Sequence, residues 1–578
     1  MINDVLVIFK THLDIGFCDF GHKVIRRYLE EFIPNAIERG YALKDTDTPY
    51  IWTVGSWLVY EALKRDTDGR VAQAIREGII AWHGLPFTTF TESMNRQLFE
   101  YGLSLSQELD RRFGKTTIAA KMSDVPGHTK AMIPSMVNAG IEFLHLGVNP
   151  AYKLPPIPPL CRWQNGEDEI ILMYQSDYGD TMVFDDFVIT FGFTHDNTGP
   201  QTIDEIQALY ARLREQYPHA NIRAATLNDV AIKLREIKHA LPIVTKEIGD
   251  LWIQNVGTDP KKVGVYRDLL RHIEHHGIQG DISDNLLLVP EHTWGGWEFM
   301  FPDFETYLLK DFEQVPREKK IPYEQSWQEK REYTTKACDA LGIVAPYCVH
   351  RPDVSNMQEI PLPSLDFKVS WQLFDRNDYA RFIRGYMKEE MQTVEWVWQD
   401  NTKFGLPNYQ GGIFPAIPRR AYTDGVQTVI ELTFEKQIAK EQGLPQLYAI
   451  LQDNRIEIRW LGQKANRLPQ AYWFKWLGLE EADWQIRKLG QWIAADDVLY
   501  SPLLAATDYG VRNKSVTIES LDATLVAPYG RRLLDVKALK DPQDLYFNLY
   551  NNIWGCNHPM WYSDDSRFRF IVKPRKSQ

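Results

Sequence analysis

Four residues of types that bind divalent cations stand at three well-separated places in the chain. His12 and Asp14 follow the apolar run at residues 5–9, in the sequence KTHLDIGF. Asp124 begins the segment DVPGHT, and His292 lies in the glycine- and tryptophan-rich segment PEHTWGGW. Two imidazoles and two carboxylates form a mixed nitrogen and oxygen donor set. Zinc is the ion that imidazoles in proteins most often bind. These residues predict one site for a divalent ion, with Zn²⁺ as the expected ion.

The segments around these residues predict the strands that must hold them. The run DVLVIF predicts a strand that is buried on both faces, as at the centre of a parallel sheet. Residues i and i+2 of an extended segment share a face, so His12 and Asp14 converge beyond the carboxyl end of this strand. Asp124 likewise follows the predicted strand TTIAAKM. Barrels and open α/β sheets keep their chemistry at that end, whereas an isolated His-x-Asp pair is more often a core histidine and a turn residue.

Composition sets the broad class of the protein. The 578 residues exceed a single hydrophobic core and predict two to four domains. A formal net charge of −12 argues against a nucleic-acid partner, and no apolar run of about 18 residues predicts a membrane span. The sequence shows no signal-peptide pattern, and its five cysteines lack CxxC spacing. Both features predict a cytoplasmic protein without a thiolate metal site.

The periodicity of the sequence predicts three regions. Short apolar strands alternate with helical patterns through residues 1–245, which predicts an α/β domain. Residues 246–350 carry mainly helical patterns and are expected to form a helical module that contributes His292. Period-two segments such as FKVSWQLF and QTVIELTF fill residues 360–578 and predict a C-terminal β-sandwich.

Three motifs in this order resemble those of glycoside hydrolase family 38, the zinc-dependent retaining α-mannosidases, and especially its shorter bacterial members. The first barrel strand of that family ends in His-x-Asp-x-Gly-Trp, which THLDIGF matches with Phe17 in the place of tryptophan. The second family motif is approximately Asp-Pro-Phe-Gly-His-Ser, which SDVPGHTKAMIP matches with Asp124. The third places a histidine between an apolar run and a glycine-rich turn, as LLLVPEHTWGG does. The resemblance covers residues 5–300.

The resemblance implies a (β/α)7-type barrel whose zinc ion is held by His12, Asp14, Asp124 and His292. It also implies that Asp124 is the nucleophile, which forms a covalent glycosyl intermediate. A retaining mechanism needs a second, protonated carboxyl about 5 to 5.5 Å from the first. The candidate is Asp196 in THDNTGPQT, a stretch similar to the Gly-Asp-x-Gly-Gly-Gly-Pro-Thr of bacterial members. The alternative for Asp196 is a turn residue in a polar loop.

Aromatic residues near predicted strand ends and motif loops are candidates for sugar contacts. Flat apolar ring faces suit the CH side of a pyranose, although large folded proteins also bury many aromatic residues in their cores. His83 could line the pocket or pack in the core. The candidate substrate-binding residues are Trp57, Trp82, His83, Tyr178, Trp294 and Trp297.

The expected function is that of a zinc-dependent retaining glycoside hydrolase. It would cleave α-glycosidic bonds, α-mannosidic ones by resemblance, in small oligosaccharides or glycosides. Thr293 stands where the family has an aspartate that contacts the sugar, and the C-terminal β-region is shorter, so the sugar specificity stays open. The alternatives are deacetylase or lyase chemistry at the same site, or a carbohydrate-binding protein that has lost catalysis. The oligomeric state also stays open, with a homo-oligomer among the alternatives.

Overall fold

The computed structural model describes residues 1–277, 282–296, 306–344, 347–479, 483–499, 505–528, 530–531, 533–534 and 545–575. The chain divides into two compact units. The first unit comprises Met1–Phe90, Leu98–Glu247 and Glu291–Thr293. The second comprises Thr91–Gln97, Ile248–Pro290 and Trp294–Gln578. The division into domains at residues 1–245, 246–350 and 360–578 stays a prediction.

The first unit alternates strands and helices, as its sequence pattern predicts. Its strands are β1 (Asp4–His12), β2 (Trp52–Gly55), β3 (Ile80–His83), β4 (Ala119–Asp124), β5 (Phe143–Val148), β6 (Leu160–Asn165), β7 (Asp168–Gln175), β8 (Met182–Val183), β9 (Phe187–Asp196), β10 (Asn221–Ala224) and β11 (Ile243–Val244). Its helices are α1 (Gly21–Arg27), α2 (Ile33–Leu43), α3 (Ser56–Lys64), α4 (Arg70–Arg76), α5 (Arg96–Phe113), α6 (Ile133–Asn138), α7 (Ile203–Gln216) and α8 (Leu227–Ile237), with a π-helical turn at Tyr28–Phe32.

These strands form two mainly parallel sheets. One sheet has the order β3-β2-β1-β9-β8, with β10 also paired to β1, and the other has the order β11-β6-β7-β5-β4. The antiparallel pairs are β8 with β9 and β6 with β7. The amide of Gly84, after β3, donates a 2.9 Å hydrogen bond to the carbonyl of Ala119 in β4. The α/β class is confirmed, whereas the described strands do not close into a barrel, so the (β/α)7-type barrel stays a prediction.

β1 is the central strand of its sheet. It pairs in parallel with β9 along its length, and its other edge pairs with β10 and then with β2. The side chains at residues 5–9 are fully buried, which confirms the predicted strand with two buried faces. Leu6 and Ile8 belong to an apolar core that includes Phe143 of β5 and Met173 of β7. The strand that ends at His12 is therefore packed against an apolar core.

The second unit contains seven α-helices among its described residues and two antiparallel sheets. Its helices are α9 (Pro260–His276), α10 (Asp284–Leu287), α11 (Leu309–Phe312), α12 (Arg317–Leu341), α13 (Arg376–Tyr386), α14 (Glu395–Asn401) and α15 (Lys436–Gln442). Its strands are β12 (Gln358–Ile360), β13 (Phe367–Leu373), β14 (Gly412–Pro415), β15 (Ile417–Thr423), β16 (Thr428–Thr433), β17 (Gln446–Gln452), β18 (Arg455–Leu461), β19 (Gln470–Trp476), β20 (Gln485–Lys488), β21 (Gln491–Ala494), β22 (Ala505–Ala506), β23 (Gly510–Arg512), β24 (Val516–Ser520), β25 (Leu525–Ala527), β26 (Leu545–Asn551) and β27 (Ser566–Pro574).

Aromatic side chains join the two sheets of the second unit. The larger sheet has the order β12-β15-β16-β17-β18-β27-β24-β23-β20-β21, and the smaller has the order β14-β13-β19-β26-β25-β22. Phe570 of β27 lies with its ring centroid 4.6 Å from that of Phe474 in β19 and 5.1 Å from that of Phe547 in β26. The sheet-rich character of the C-terminal region is thus confirmed. Within the described part of the chain, no helix is both long enough and apolar enough to cross a bilayer.

A tight loop between β7 and β8 covers the carboxyl end of β5. Asp177 and Tyr178 have φ angles of +52° and +59°, which are uncommon for residues other than glycine. Gly147 of β5 lies directly beneath the loop, and a Cβ atom at this position would stand 2.3 Å from the carbonyl carbon and oxygen of Tyr178. Because no real Cβ atom approaches backbone so closely, only glycine allows the loop to adopt this position.

We predict that Gly147→Ala displaces the 176–180 loop and lowers the free energy of unfolding by about 3 kcal/mol, as expected for overpacking against backbone. Gly166→Ala is the matched control, because Gly166 has a φ of +66° but open space around it. It should cost only the left-handed strain of about 1 kcal/mol. Urea denaturation of both variants measures the difference, and equal losses would contradict the assigned role of Gly147.

Candidate metal centre

Two histidines and two aspartates of the first unit meet at one buried point. His12 ends β1, Asp124 ends β4, and Asp14 and His292 lie in irregular segments. One donor atom of each of the four residues lies within 4.8 Å of the others. Asp14 Oδ1 stands 3.1 Å from His12 Nε2 and 3.0 Å from His292 Nε2. The structure therefore brings together all four residues that the sequence predicts as metal ligands.

The donor set fits a bound cation. The two Nε2 atoms of His12 and His292 face each other at 3.2 Å, where two lone pairs would repel unless a cation or a proton lay between them. Asp14 Oδ2 is buried and, among the described residues, has no hydrogen-bond partner. The outer nitrogen of each ring has an oxygen close by: His12 Nδ1 lies 2.8 Å from Ser123 Oγ, and His292 Nδ1 lies 2.9 Å from Glu291 Oε1. Protons on the Nδ1 atoms would leave both Nε2 lone pairs for a metal ion.

Glu291 lies against the outer nitrogen of His292. The sequence motifs do not identify it as a residue of the site. Its carboxylate is fully buried and accepts hydrogen bonds from the hydroxyl of Thr293 at 2.6 Å and the amide of Ile15 at 3.4 Å. A carboxylate on the outer nitrogen of a ligand histidine fixes the ring and raises its basicity. The sequence signal for Glu291 is its position directly before His292 in PEHTWGG. Adjacent residues of an extended segment point to opposite faces, so this position alone does not predict a contact between the two side chains.

The charges within the cluster oppose the effect of burial. Burial raises the pKa of Asp14. The neighbouring His12 and His292 together lower it by more than burial raises it, so the net pKa falls below its ordinary value. Burial lowers the pKa of His292, yet hydrogen bonds with Asp124, Asp14 and Glu291 raise it well above 6.5. The carboxylates around His292 therefore favour its protonated form when no metal ion is bound.

Asp124 is held differently from the other three ligands. Its side chain is 13% exposed, whereas those of His12, Asp14 and His292 are at most 3% exposed. Its Oδ1 accepts hydrogen bonds from the hydroxyl of Tyr178 at 2.7 Å and from the side-chain Nδ2 of Asn149 at 2.9 Å. Its Oδ2 faces His292 Nε2 at 3.6 Å. Asp124 also has a φ of +77°, and such strained residues cluster at functional sites.

Asp196 is the last residue of β9, not a loop residue, and it pairs in register with His12 of β1. Thus a second carboxyl stands at the same end of the same sheet as His12 of the cluster. Burial raises the pKa of this partly buried side chain to about 7, and the negative charge of Asp14 adds to the effect. Its Oδ1 has no hydrogen-bond partner among the described residues. A carboxyl in this state can carry a proton at neutral pH.

The tryptophans predicted to bind sugar in the first unit are buried. Trp57 of α3 packs against Phe87, with ring centroids 5.5 Å apart, and Trp82 of β3 packs against Phe113 at 6.0 Å. His83, the last residue of β3, is also buried, and burial together with the charge of Lys121 lowers its pKa to about 3. These contacts are those of core residues, and the sugar-binding roles stay predictions.

The other three predicted sugar contacts have separate outcomes. Tyr178 lies at the cluster, since its hydroxyl bonds to Asp124. Trp294 lies in the second unit, where it is buried and the ammonium of Lys262 stands 3.0 Å from its ring centroid. Trp297 lies outside the described residues.

Comparisons with known proteins relate the chain to one fold. Residues 256–347 match a family model described as "Domain of unknown function (DUF5054)", and no curated protein matches the sequence. An alpha-mannosidase from Enterococcus faecalis V583 is similar in structure with a TM-score of 0.58 and 9% identity, over 99% of this chain and 87% of that chain. A protein in the glycosyl hydrolase family 38 from Enterococcus faecalis has a TM-score of 0.55 and 9% identity, over 100% of this chain and 86% of that chain. At such identity the likeness shows a shared fold.

We predict that the purified chain binds one divalent ion and that His12→Ala abolishes tight binding. Loss of a ligand should exceed the roughly 10- to 100-fold loss of affinity that follows from changing an outer hydrogen-bond partner. The control is His275→Ala, on the exposed end of α9, which should bind the ion like the wild type. Elemental analysis after dialysis gives the stoichiometry. Equal metal contents in both variants would exclude His12 as a ligand.

Metal binding should weaken on acidification, beginning above pH 6.5. The raised pKa of His292 means that a proton competes for this ligand even above its ordinary value of 6.5. As the pH falls through the raised pKa, the affinity should drop by about tenfold per pH unit for each proton displaced. Glu291→Gln removes one hydrogen bond that raises this pKa, so its affinity should begin to drop at a lower pH. Competition with a fluorescent chelator from about pH 9 to about pH 6 tests both, and a pH-independent affinity would contradict the prediction.

Proposed function

We propose that this chain is a metal-dependent retaining glycoside hydrolase acting on α-glycosidic bonds of small oligosaccharides or glycosides. The observation that best supports it is the ligand cluster of His12, Asp14, Asp124 and His292 beside the strand-end carboxyl of Asp196. The shared fold with an alpha-mannosidase and a family 38 protein agrees with this proposal and makes α-mannosides the first substrates to test.

His12, Asp14, Asp124 and His292 would hold one Zn²⁺ ion. When bound, the ion would bind sugar hydroxyls and stabilise charge that develops in the transition state. Zinc is preferred over calcium or magnesium because half of the donor set is imidazole nitrogen.

In the first step, the carboxylate of Asp124 attacks the anomeric carbon while protonated Asp196 donates its proton to the glycosidic oxygen. The bond between the anomeric carbon and the leaving oxygen breaks as the bond to Asp124 forms. Tyr178 and Asn149 hold Asp124 through Oδ1, so the carboxylate keeps its orientation without rotating. The raised pKa of Asp196, about 7, suits a proton donor at neutral pH.

In the second step, the carboxylate of Asp196 takes a proton from a water molecule. The water oxygen bonds to the anomeric carbon, and the ester bond to Asp124 breaks. Two displacements at one carbon return the sugar with its original configuration. The departing Asp124 carboxylate is free again, still held through Oδ1 by Tyr178 and Asn149, and Asp196 is protonated as at the start.

We predict that Asp124→Asn reduces kcat on nitrophenyl α-glycosides by at least about 10³-fold, because the nucleophile is lost. Asp196→Asn should reduce kcat by about 10²- to 10⁴-fold with poor leaving groups but much less with dinitrophenolate, which leaves without a proton. Asp185→Asn, at an exposed position between β8 and β9, is the control and should retain wild-type rates.

Nuclear magnetic resonance of the first product formed decides the reaction class. A reducing sugar of retained anomeric configuration is the expected result. Inverted configuration, an unsaturated sugar, or acetate released from acetylated sugars without glycosidic cleavage would each contradict the proposed function. Binding of sugars with no turnover, and no effect of Asp124→Asn on that binding, would indicate a carbohydrate-binding protein.

A further inference from the structure

Asn197 connects the two halves of the proposed active site. It follows Asp196 directly, is buried, and has a φ of +51°. Its side-chain Oδ1 accepts a hydrogen bond from the amide of Asp14 at 3.0 Å, and its Nδ2 donates to the carbonyl of Asp14 at 3.0 Å and to that of Gly16 at 3.3 Å. One amide side chain therefore satisfies both backbone groups of a ligand residue, as a neighbouring strand would.

The segment that carries Asp14 needs such a partner. β1 ends at His12, and the pairing of β1 with β9 shifts register between Thr11 and His12. Beyond that point the backbone is irregular, with φ angles of +138° at Gly16 and +58° at Phe17. Buried backbone groups outside a sheet require other hydrogen-bond partners, and the side chain of Asn197 supplies them at Asp14.

The backbone of Asn197 strengthens the same connection. Its amide donates a 3.0 Å hydrogen bond to the carbonyl of His12, which also accepts one from the hydroxyl of Tyr28 at 3.0 Å. Asn197 thus fixes the main chain on both sides of residue 13, which separates the two ligands. A residue in the left-handed region is needed here, and asparagine tolerates that region better than most residues.

We propose that Asn197 is a positioning residue that orients Asp14 for the metal ion before the ion binds. The proposal rests on the proposed function, because it takes the cluster of His12, Asp14, Asp124 and His292 as a metal site. Asn197 also places the metal-binding segment in register with the strand that ends at Asp196. The side chain of Asn197 is therefore needed for metal affinity and is not merely part of the stability of the first unit.

The test is the affinity of Asn197→Gly for Zn²⁺. Glycine keeps the left-handed backbone and removes only the amide side chain. We expect the dissociation constant for Zn²⁺ to rise about 10- to 100-fold, the range typical of outer hydrogen-bond partners of metal ligands. Asn197→Asp should weaken binding at least as much, because it replaces the donor with a negative oxygen facing the carbonyls of Asp14 and Gly16. Chelator competition on metal-free protein measures each constant.

Gln201→Ala is the matched control. Gln201 is also a buried amide, and its Nε2 donates to the carbonyls of Lys10 in β1 at 3.2 Å and Gly192 in β9 at 2.5 Å. The variant removes a link between the same two strands without touching the segment of Asp14. It should unfold more easily than the wild type, yet bind Zn²⁺ within about twofold of the wild-type affinity.

The outcomes separate this proposal from the one on which it rests. Wild-type affinity in Asn197→Gly, or equal weakening in Asn197→Gly and Gln201→Ala, would overturn the positioning role alone. Failure of the wild type to bind any divalent ion would overturn the proposed function and this proposal together. Weak binding in Asn197→Gly with near-normal binding in Gln201→Ala is the supporting result.

Discussion

The first unit is organised around two imidazoles and two carboxylates that are buried together and whose facing acceptor atoms need a cation or protons between them. His12 Nε2 and His292 Nε2 lie 3.2 Å apart, and Asp14 Oδ1 lies within 3.1 Å of both. Acceptors do not assemble in this way unless a cation or protons join them. The surrounding structure resists their separation: an apolar core lies below β1, Glu291 and Ser123 hold the outer ring nitrogens, and a strained backbone aims Asp124 at the cluster.

Much of this arrangement could be predicted because its signals are local. The apolar run before His12 indicates a doubly buried strand, and the two-residue period of a strand brings His12 and Asp14 together. Asp124 could be placed in the same way, from the strand before it. His292 could not be placed from local signals, because nothing in the sequence around it indicates a contact with His12, which lies 280 residues earlier. It could be assigned because three motifs in a fixed order resemble those of a known family.

The residues that support the site could not be predicted, because their partners are remote. Ser123 contacts a ring 111 residues away, and Asn197 bonds to a backbone 183 residues away. Serine and asparagine at strand ends look like ordinary capping residues.

The first unit is discontinuous along the chain, since Glu291–Thr293 belong to it although the second unit's segments lie on either side of them. During synthesis, residues 1–247 supply three of the four clustered residues, which are His12, Asp14 and Asp124. His292 and the neighbouring carboxylate of Glu291 follow only when residue 292 has left the ribosome. On the proposed function, the complete set of four ligands therefore exists only after residues 248–290, which belong to the second unit, have been made.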